Sequence, residues 1–229
     1  MLKSGIDQDA LIEQFATASA RQTAQLRQVV TEATLKALQG REMTLKNIRS
    51  VIKSVSEAAT AGAAQNVMPK VDMEKMLGTA VSGIDDALLK AVEANKVALS
   101  RFVEQGVGLQ EKQLKKAVSD LEKIEDTMFA ALKKAAGGAG TAMEGPWSQV
   151  LEKFQLQGSQ AGAQASATVE QLTDQMQAAL REGRAASMKA AQVLAESYAA
   201  LVSGVLIGMS DALTGGSAEA APAKTARKR

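Results

Sequence analysis

The side chains that could do chemistry in this chain are carboxylates and cations. Cysteine and histidine are both absent from its 229 residues. Disulfides, Ser-His and Cys-His nucleophile pairs, and zinc sites built from thiolate and imidazole are therefore excluded. A purely carboxylate- or lysine-based enzyme stays open as an alternative. The residue types offer no catalytic centre, however, and we expect a non-enzymatic protein that needs no cofactor.

Asp85 and Asp86 form an adjacent acidic pair within a predicted helix. Neighbouring residues on a helix point to different sides, so these two carboxyl groups should not act as a dyad for general acid-base chemistry. The glycine-rich stretch Gly137–Gly140 follows a predicted helix and not a strand, which is the wrong context for a phosphate-binding loop. Neither feature indicates catalysis.

Two groups of cations could contact an anionic partner. Lys46, Arg49 and Lys53 recur on one side of a predicted helix, where they could meet phosphate head groups or nucleic acid, or could simply face water. Residues 214–229 carry four cations against Glu219, a net charge of +3, whereas the preceding 213 residues hold 23 basic and 24 acidic groups, a net of −1. The cations of this basic tail are Lys224, Arg227, Lys228 and Arg229. Because the tail has no aromatic ring on which a base could stack, nucleic-acid binding through it should be weak, sequence-independent and strongly salt-sensitive.

The composition favours an all-α fold of long amphipathic helices. Hydrophobic residues make up 46% of the chain but aromatic residues only 3%, and only three prolines interrupt it. Frequent Ala, Gln, Glu, Lys and Met favour helix, and the scarcity of large rings predicts thin helical layers. The predicted organisation is a helical bundle region at 1–136 with helices at about 7–39, 44–64, 72–105 and 109–136, a glycine-rich hinge at 137–145, a long C-terminal helix or helix pair at 146–213, and a disordered basic tail at 214–229.

The third predicted helix has the clearest apolar pattern, a heptad seam with alternating spacings of four and three. Its members are Leu77, Val81, Ile84, Leu88, Ala91, Asn95, Ala98 and Phe102. A seam asparagine such as Asn95 can fix the register or the oligomeric state of a coiled coil. A similar seam follows at 109–136 after a short turn, which predicts a central antiparallel helical hairpin with coiled-coil-like packing. The same seams could pair helices within the chain or across chains.

The C-terminal half predicts a helix start at Gly145-Pro146-Trp147, with the proline at the first helical position. The helix that follows could be continuous or divided near 158–162. Residues 155–170 are mostly small and polar. A segment so poor in large hydrophobic side chains should be mobile or weakly packed.

The longest uncharged run in the chain, residues 197–210, lies between Glu196 and Asp211. Its 14 residues are fewer than the roughly 20 that a membrane-spanning helix needs, so we expect no membrane span. It carries a smooth strip of small residues with bulkier neighbours, namely Ala200, Leu201, Gly204, Val205, Leu206, Gly208 and Met209. Such a face could pack against another helix or contact a lipid-like or polymer surface. The N-terminus lacks the apolar stretch of a signal peptide, and the absence of cysteine fits a reducing cytoplasm.

Several of these features together resemble the bacterial phasins, which coat polyhydroxyalkanoate granules. They are the long Ala-, Gln-, Lys- and Met-rich helices, the absence of cysteine, the GPW helix start and the APAKTARKR tail. The chain is also similar to an uncharacterised group of phasin-like bacterial helical proteins, most closely at residues 181–213. The resemblance implies a non-enzymatic cytoplasmic coat or scaffold that self-associates and binds a polyester granule or lipid-like surface. The alternatives are a purely structural helical oligomer or partner-binding adaptor, and a weakly nucleic-acid-associated protein that uses its basic tail.

Overall fold

The computed structural model describes residues 6–18, 23–39, 44–66, 72–104 and 111–182, and within these ranges the fold is all-helical, without a strand. The prediction of an all-α chain with long helices is confirmed. Eight helices follow one another in the described ranges: α1 Gln8–Thr17, α2 Thr23–Gln39, α3 Leu45–Gln65, α4 Met73–Glu104, α5 Glu111–Glu122, α6 Ile124–Gly137, α7 Thr141–Gln157 and α8 Gln160–Glu182.

The prediction of one continuous helix over 7–39 is wrong. α1 ends at Thr17, Ala18 is extended with ψ of 129°, and α2 begins at Thr23. The amide of Asn66, at the end of α3, donates to the carbonyl oxygens of Phe15 and Ala18 at 2.7 and 2.9 Å. The end of α1 is thus capped by another helix. The chain divides here because α1 packs against α3 whereas α2 packs against α4.

The predicted start of the C-terminal helix is also wrong. α7 begins at Thr141, so Pro146 lies inside the helix and not at its first position. Gly140, with φ of +77°, supplies the break between α6 and α7, because only glycine adopts this conformation without strain. A second positive-φ glycine, Gly158 at +71°, divides α7 from α8. Of the two alternatives for residues 146–182, the structure therefore has the helix pair.

The helix pairing differs from the predicted central hairpin. α4 packs mainly against α2 and α8, and also against α3 and α7, while α6 packs against α3, α7 and α8. Within the described residues, α4 has no extensive contact with α5 or α6. Instead, α3 packs against both α4 and α6, and α8 packs against α4, α5 and α6. The physical reason is that α4 is buried well beyond its seam, for example at Ala80, Ala87 and Val92. A helix that is apolar on several sides accepts several partners.

The seam itself lies in the core of the single chain. Its large members Leu77, Val81, Ile84 and Leu88 are all buried, and Asn95 is half-buried. The seam therefore pairs helices within the chain in this state. The side chain of Phe102 lies outside the described residues.

Two glycines set how closely the helices approach. A Cβ atom at Gly62 would lie 2.4 Å from the Cβ of Phe15 and 2.5 Å from the carbonyl oxygen of Ile12, so α1 and α3 touch here backbone to backbone. A Cβ at Gly83 would lie 2.7 Å from the carbonyl oxygen of Arg27 on α2. Both contacts require the absence of a side chain.

Gly62→Ala should lower the free energy of unfolding by about 1–3 kcal/mol, because overpacking forces backbone shifts. Urea denaturation followed by circular dichroism measures the change. Gly137→Ala is the matched control, since a Cβ there meets nothing within 4 Å, and it should be neutral or stabilising by about 0.5 kcal/mol. Equal stability of the two variants would show that α1 and α3 are not in close contact.

Candidate functional site

A set of buried and half-buried polar groups surrounds the first turn of α8. Three helices contribute to it: Asp85 comes from α4, Glu125 from α6, and Ser159 precedes α8 itself. Gly158 turns the chain so that the first amide groups of α8 point towards these three side chains. We call this cluster of Asp85, Glu125 and Ser159 the polar junction.

Each amide group at the start of α8 has an acceptor. The Asp85 carboxylate accepts from Gln160 N at 2.9 Å and from Ala161 N at 3.0 Å. Glu125 Oε1 accepts from Ser159 N at 2.7 Å. Ser159 Oγ accepts from Gly162 N at 2.7 Å, as a conventional N-terminal cap. The free amide groups that every helix start presents are thus satisfied largely by carboxylates from other helices.

These contacts are stronger than ordinary caps. Hydrogen bonds to charged groups contribute about 1.5–3 kcal/mol each, and a carboxylate also interacts favourably with the positive end of the helix dipole. Asp85 nevertheless is only 6% exposed, and burial raises the pKa of its carboxyl group. The hydrogen bonds from Ala161 and Gln160 lower that pKa, while the neighbouring carboxylates Asp86 and Glu125 raise it further. The junction holds α8 through a carboxylate that has lost most of its water.

Asp86 lies on a different side of α4 from Asp85. It accepts from the guanidinium of Arg27 on α2, with distances of 2.5 Å to Nε and 2.6 Å to Nη2. This hydrogen-bonded pairing raises the pKa of Arg27. The prediction that the two aspartates do not form a dyad is confirmed, since one caps α8 and the other binds α2.

The face that α8 turns towards the bundle consists mainly of small side chains. Its buried members recur with spacings of four and three at Ala161, Ala165, Thr168 and Leu172. A Cβ at Gly162 would lie 2.6 Å from the Cδ of Glu125, so the side chain of Glu125 lies directly on this glycine. Residues 155–158 are exposed, but from Ser159 onwards small residues allow α8 to approach α4 closely, so for this part of 155–170 the prediction of weak packing is wrong.

An open groove of about 730 Å³ lies between α2, α4 and α7. Its apolar lining includes Val81, Val150 and Phe154, and the ion pair of Lys153 with Glu74 joins α7 to α4 at its edge. This pairing raises the pKa of Lys153. The groove is lined by charges of both signs, from Arg27, Lys75 and Lys153 and from Asp72 and Glu74.

The other predicted site residues fall into two groups. Lys46, Arg49 and Lys53 are exposed on the outer side of α3, and Lys53 lies 3.5 Å from Glu57, which lowers the positive charge of this stripe. The predicted surface face at 197–210 and the cations of the basic tail lie outside the described residues.

Sequence reasoning missed the polar junction. A carboxylate beside a heptad seam looks the same whether it faces water or another helix. The available signal was local: Gly158-Ser159 is a typical break and cap before a helix, and the small residues 161, 165 and 168 keep heptad spacing with Leu172. Nothing local indicated that residues 85 and 125 would meet this turn.

The described helices and their polar junction define a helical bundle protein. Residues 1–215 match DUF6781, a family of unknown function, and the chain belongs to that family. Comparison with curated proteins and with solved structures finds no significant similarity. In the part of the chain that the structure describes, no helix combines the length and the apolar character needed to cross a membrane.

Proposed function

We propose that this protein is a non-enzymatic, phasin-like coat or scaffold that binds a hydrophobic granule or lipid-like surface through amphipathic helix faces. The observation that carries the proposal is the packing of α8, whose fully buried face consists of small side chains apart from Leu172, with the half-buried Val169 and Met176 beside it. Such a helix withdraws only one fully buried large side chain of its own when it leaves the bundle. It can regain apolar burial on an apolar surface at about 25 cal/mol per Å² removed from water.

The exposed cations give less support to nucleic-acid binding. The stripe of Lys46, Arg49 and Lys53 is partly neutralised by Glu57. The helix that carries it, α3, contains no aromatic residue on which a base could stack. A partner-binding adaptor would use the same helix faces as a coat, so the two functions differ in the chemistry of the surface that is bound.

The direct test measures co-sedimentation of the full chain with polyhydroxybutyrate particles, with phosphatidylcholine-coated triolein droplets and with duplex DNA. We expect binding to one or both apolar surfaces that persists at high salt, because burial of apolar area is not screened. Binding to DNA alone, or to none of the three, would contradict the proposal. Deletion of residues 214–229 should leave surface binding intact.

The contribution of the 197–210 face can be tested separately. Leu201→Asp with Val205→Asp should weaken binding to the apolar particles about tenfold or more, since a charge in an apolar contact is costly. Leu156→Asp is the matched control, because Leu156 is 81% exposed on α7 and its replacement should leave the fold unaltered. If binding is unchanged in the double variant while the helical content is retained, this face is not the contact.

A further inference from the structure

The polar junction and the small-sided face of α8 act on the same helix. Three of the amide groups at the start of α8 are held by two carboxylates of α4 and α6. The apolar contact that follows contains only Leu172 as a fully buried large side chain. We infer that α8 is a detachable arm, that Asp85 and Glu125 are the latch that holds it closed, and that the face it uncovers docks on an uncharged apolar surface. This inference rests on the proposed function and names its moving element.

The structure places a hinge at the correct position for such a movement. Gly158, with φ of +71°, separates the arm from α7. Its amide still donates to the carbonyl oxygen of Phe154 at 2.9 Å, which completes the last turn of α7. A change in the backbone dihedrals of Gly158 would therefore move α8 without unwinding α7.

α7 is fixed to the bundle independently of the latch. The indole Nε1 of Trp147 donates to Thr60 Oγ1 on α3 at 3.0 Å, and Lys153 pairs with Glu74 on α4. Neither contact involves the junction. Release of the latch should consequently free the arm and leave α1–α4, α6 and α7 in place, whereas α5, which packs mainly against α8, should loosen with it.

Opening of the junction leaves none of its polar groups buried without a partner, because both the amide groups and the carboxylates regain water. The amide groups of Gln160 and Ala161 become accessible to solvent, and so does the buried carboxylate of Asp85. In the closed state, removal of the carboxylates would leave these amide groups without acceptors, which favours the open state.

The charges of the arm select the kind of surface. Its buried side carries Ala161, Ala165 and Leu172, with the half-buried Val169 and Met176 beside them. Its exposed side carries Glu170 and Asp174 among uncharged residues, and no cation is among the described side chains of α8. Interfacial helices that bind anionic lipids place Lys and Arg on the polar face. Over residues 160–178 the arm therefore carries a net negative charge, which favours an uncharged apolar surface over an anionic one.

The test of the latch is hydrogen exchange of the full chain with Asp85→Ala and Glu125→Ala combined. Amide exchange in α8 should become about tenfold faster or more, while protection in α1–α4 is retained, because exchange reports local opening. The matched control is Asp86→Ala with Asp126→Ala, which removes the adjacent carboxylates on the same two helices but leaves the junction intact. Trp147, the only tryptophan, should keep its buried fluorescence in both proteins.

Surface binding is measured on the same variants with two probes. Affinity for phosphatidylcholine-coated triolein droplets should rise about threefold or more in the latch variant, because a larger fraction of the chain is already open. Affinity for phosphatidylglycerol vesicles should not rise. Preferential binding to the anionic vesicles would overturn the assignment of the surface.

A covalent lock provides the opposite perturbation. The chain has no cysteine of its own, so Glu125→Cys with Gln160→Cys can be joined across the junction by a short, cleavable bis-maleimide. The locked protein should lose droplet binding, and cleavage of the linker should restore it. Undiminished binding by the locked protein would show that the arm is not the docking element.

The two proposals fail in different ways. If α8 exchanges no faster in the latch variant than in the control, the latch is wrong whatever the droplets show. If α8 exchanges faster but neither the wild-type chain nor any variant binds droplets or polyester particles, the latch stands and the coat function is wrong.

Discussion

Asp85→Ala should lower the free energy of unfolding by about 2 kcal/mol at pH 7, because two amide groups at the start of α8 lose their acceptor inside the bundle. Asp85→Asn should have an intermediate effect. The asparagine keeps the shape of the aspartate and one acceptor oxygen, and it removes a charge that burial disfavours, but its NH2 group replaces the second acceptor and leaves one of the two amide groups unpaired. Urea denaturation of the three proteins measures both differences. A loss in Asp85→Asn as large as in Asp85→Ala would mean that a single neutral acceptor at this position does not hold the start of α8.

The difference in stability between the wild-type protein and Asp85→Asn should change with pH in a definite direction. Burial raises the pKa of Asp85 above its ordinary value of 3.8, so the folded chain binds this proton more tightly than the unfolded chain does. The stability that this proton adds is present below about pH 3.8 and is lost as the pH rises through the raised pKa. Relative to Asp85→Asn, the wild-type protein should therefore become less stable over that interval and then stay level. A wild-type protein that gained on the variant with rising pH would contradict the cause assigned to the shift.

The parts of the fold that large side chains determine could be predicted from the sequence. A helix is predicted by the alternating spacing of four and three that places Leu77, Val81, Ile84 and Leu88 on one helical face. All four are buried, as that spacing implies. The partner of this face could not be predicted, because apolar seams of similar length do not specify which of several helices they meet. The partners of α4 are determined by the close contact of Gly83 with α2 and by the polar junction with α8, both of which depend on tertiary geometry.

The candidate site was less predictable than the fold for a related reason. Alanine and threonine carry little hydrophobic signal, so the buried face of α8 looked like a loose, polar segment. What makes it pack is the absence of bulk, together with the acceptors that Asp85 and Glu125 bring from residues far away in the chain. Propensity and periodicity describe each helix separately and contain no information on such acceptors.

The small buried face of α8 and its carboxylate acceptors explain how one bundle can be stable and still release a helix. Large buried side chains such as Phe15, Ile52 and Leu88 hold α1, α3 and α4 in the bundle, whereas the start of α8 is held by hydrogen bonds to two carboxylates in addition to its small buried side chains and Leu172. Apolar burial has no equivalent in water, but hydrogen-bonding groups recover most of their interactions there. Loss of the polar contacts at the start of α8 therefore costs the chain less than loss of a large core side chain.

Trp147→Ala tests the contribution of a large core side chain and should have the largest effect on the free energy of unfolding of all the substitutions proposed. The indole is 1% exposed, and its Nε1 donates to Thr60 Oγ1, which in turn donates to the carbonyl oxygen of Ser56 at 2.7 Å. Truncation should lower the free energy of unfolding by about 3–5 kcal/mol, through the lost burial and the cavity that remains.

Trp147→Phe separates the two contributions of this side chain. It keeps most of the apolar volume and loses the hydrogen bond to Thr60, so it should cost about 1–2 kcal/mol. Urea denaturation followed by circular dichroism suits both variants, because the alanine variant has no tryptophan to fluoresce. Since Trp147 fixes α7 to α3, its removal should accelerate hydrogen exchange in α3, α6 and α7 together, unlike the latch variant. An effect confined to α8 would mean that α7 moves with the arm, and that the hinge is not Gly158.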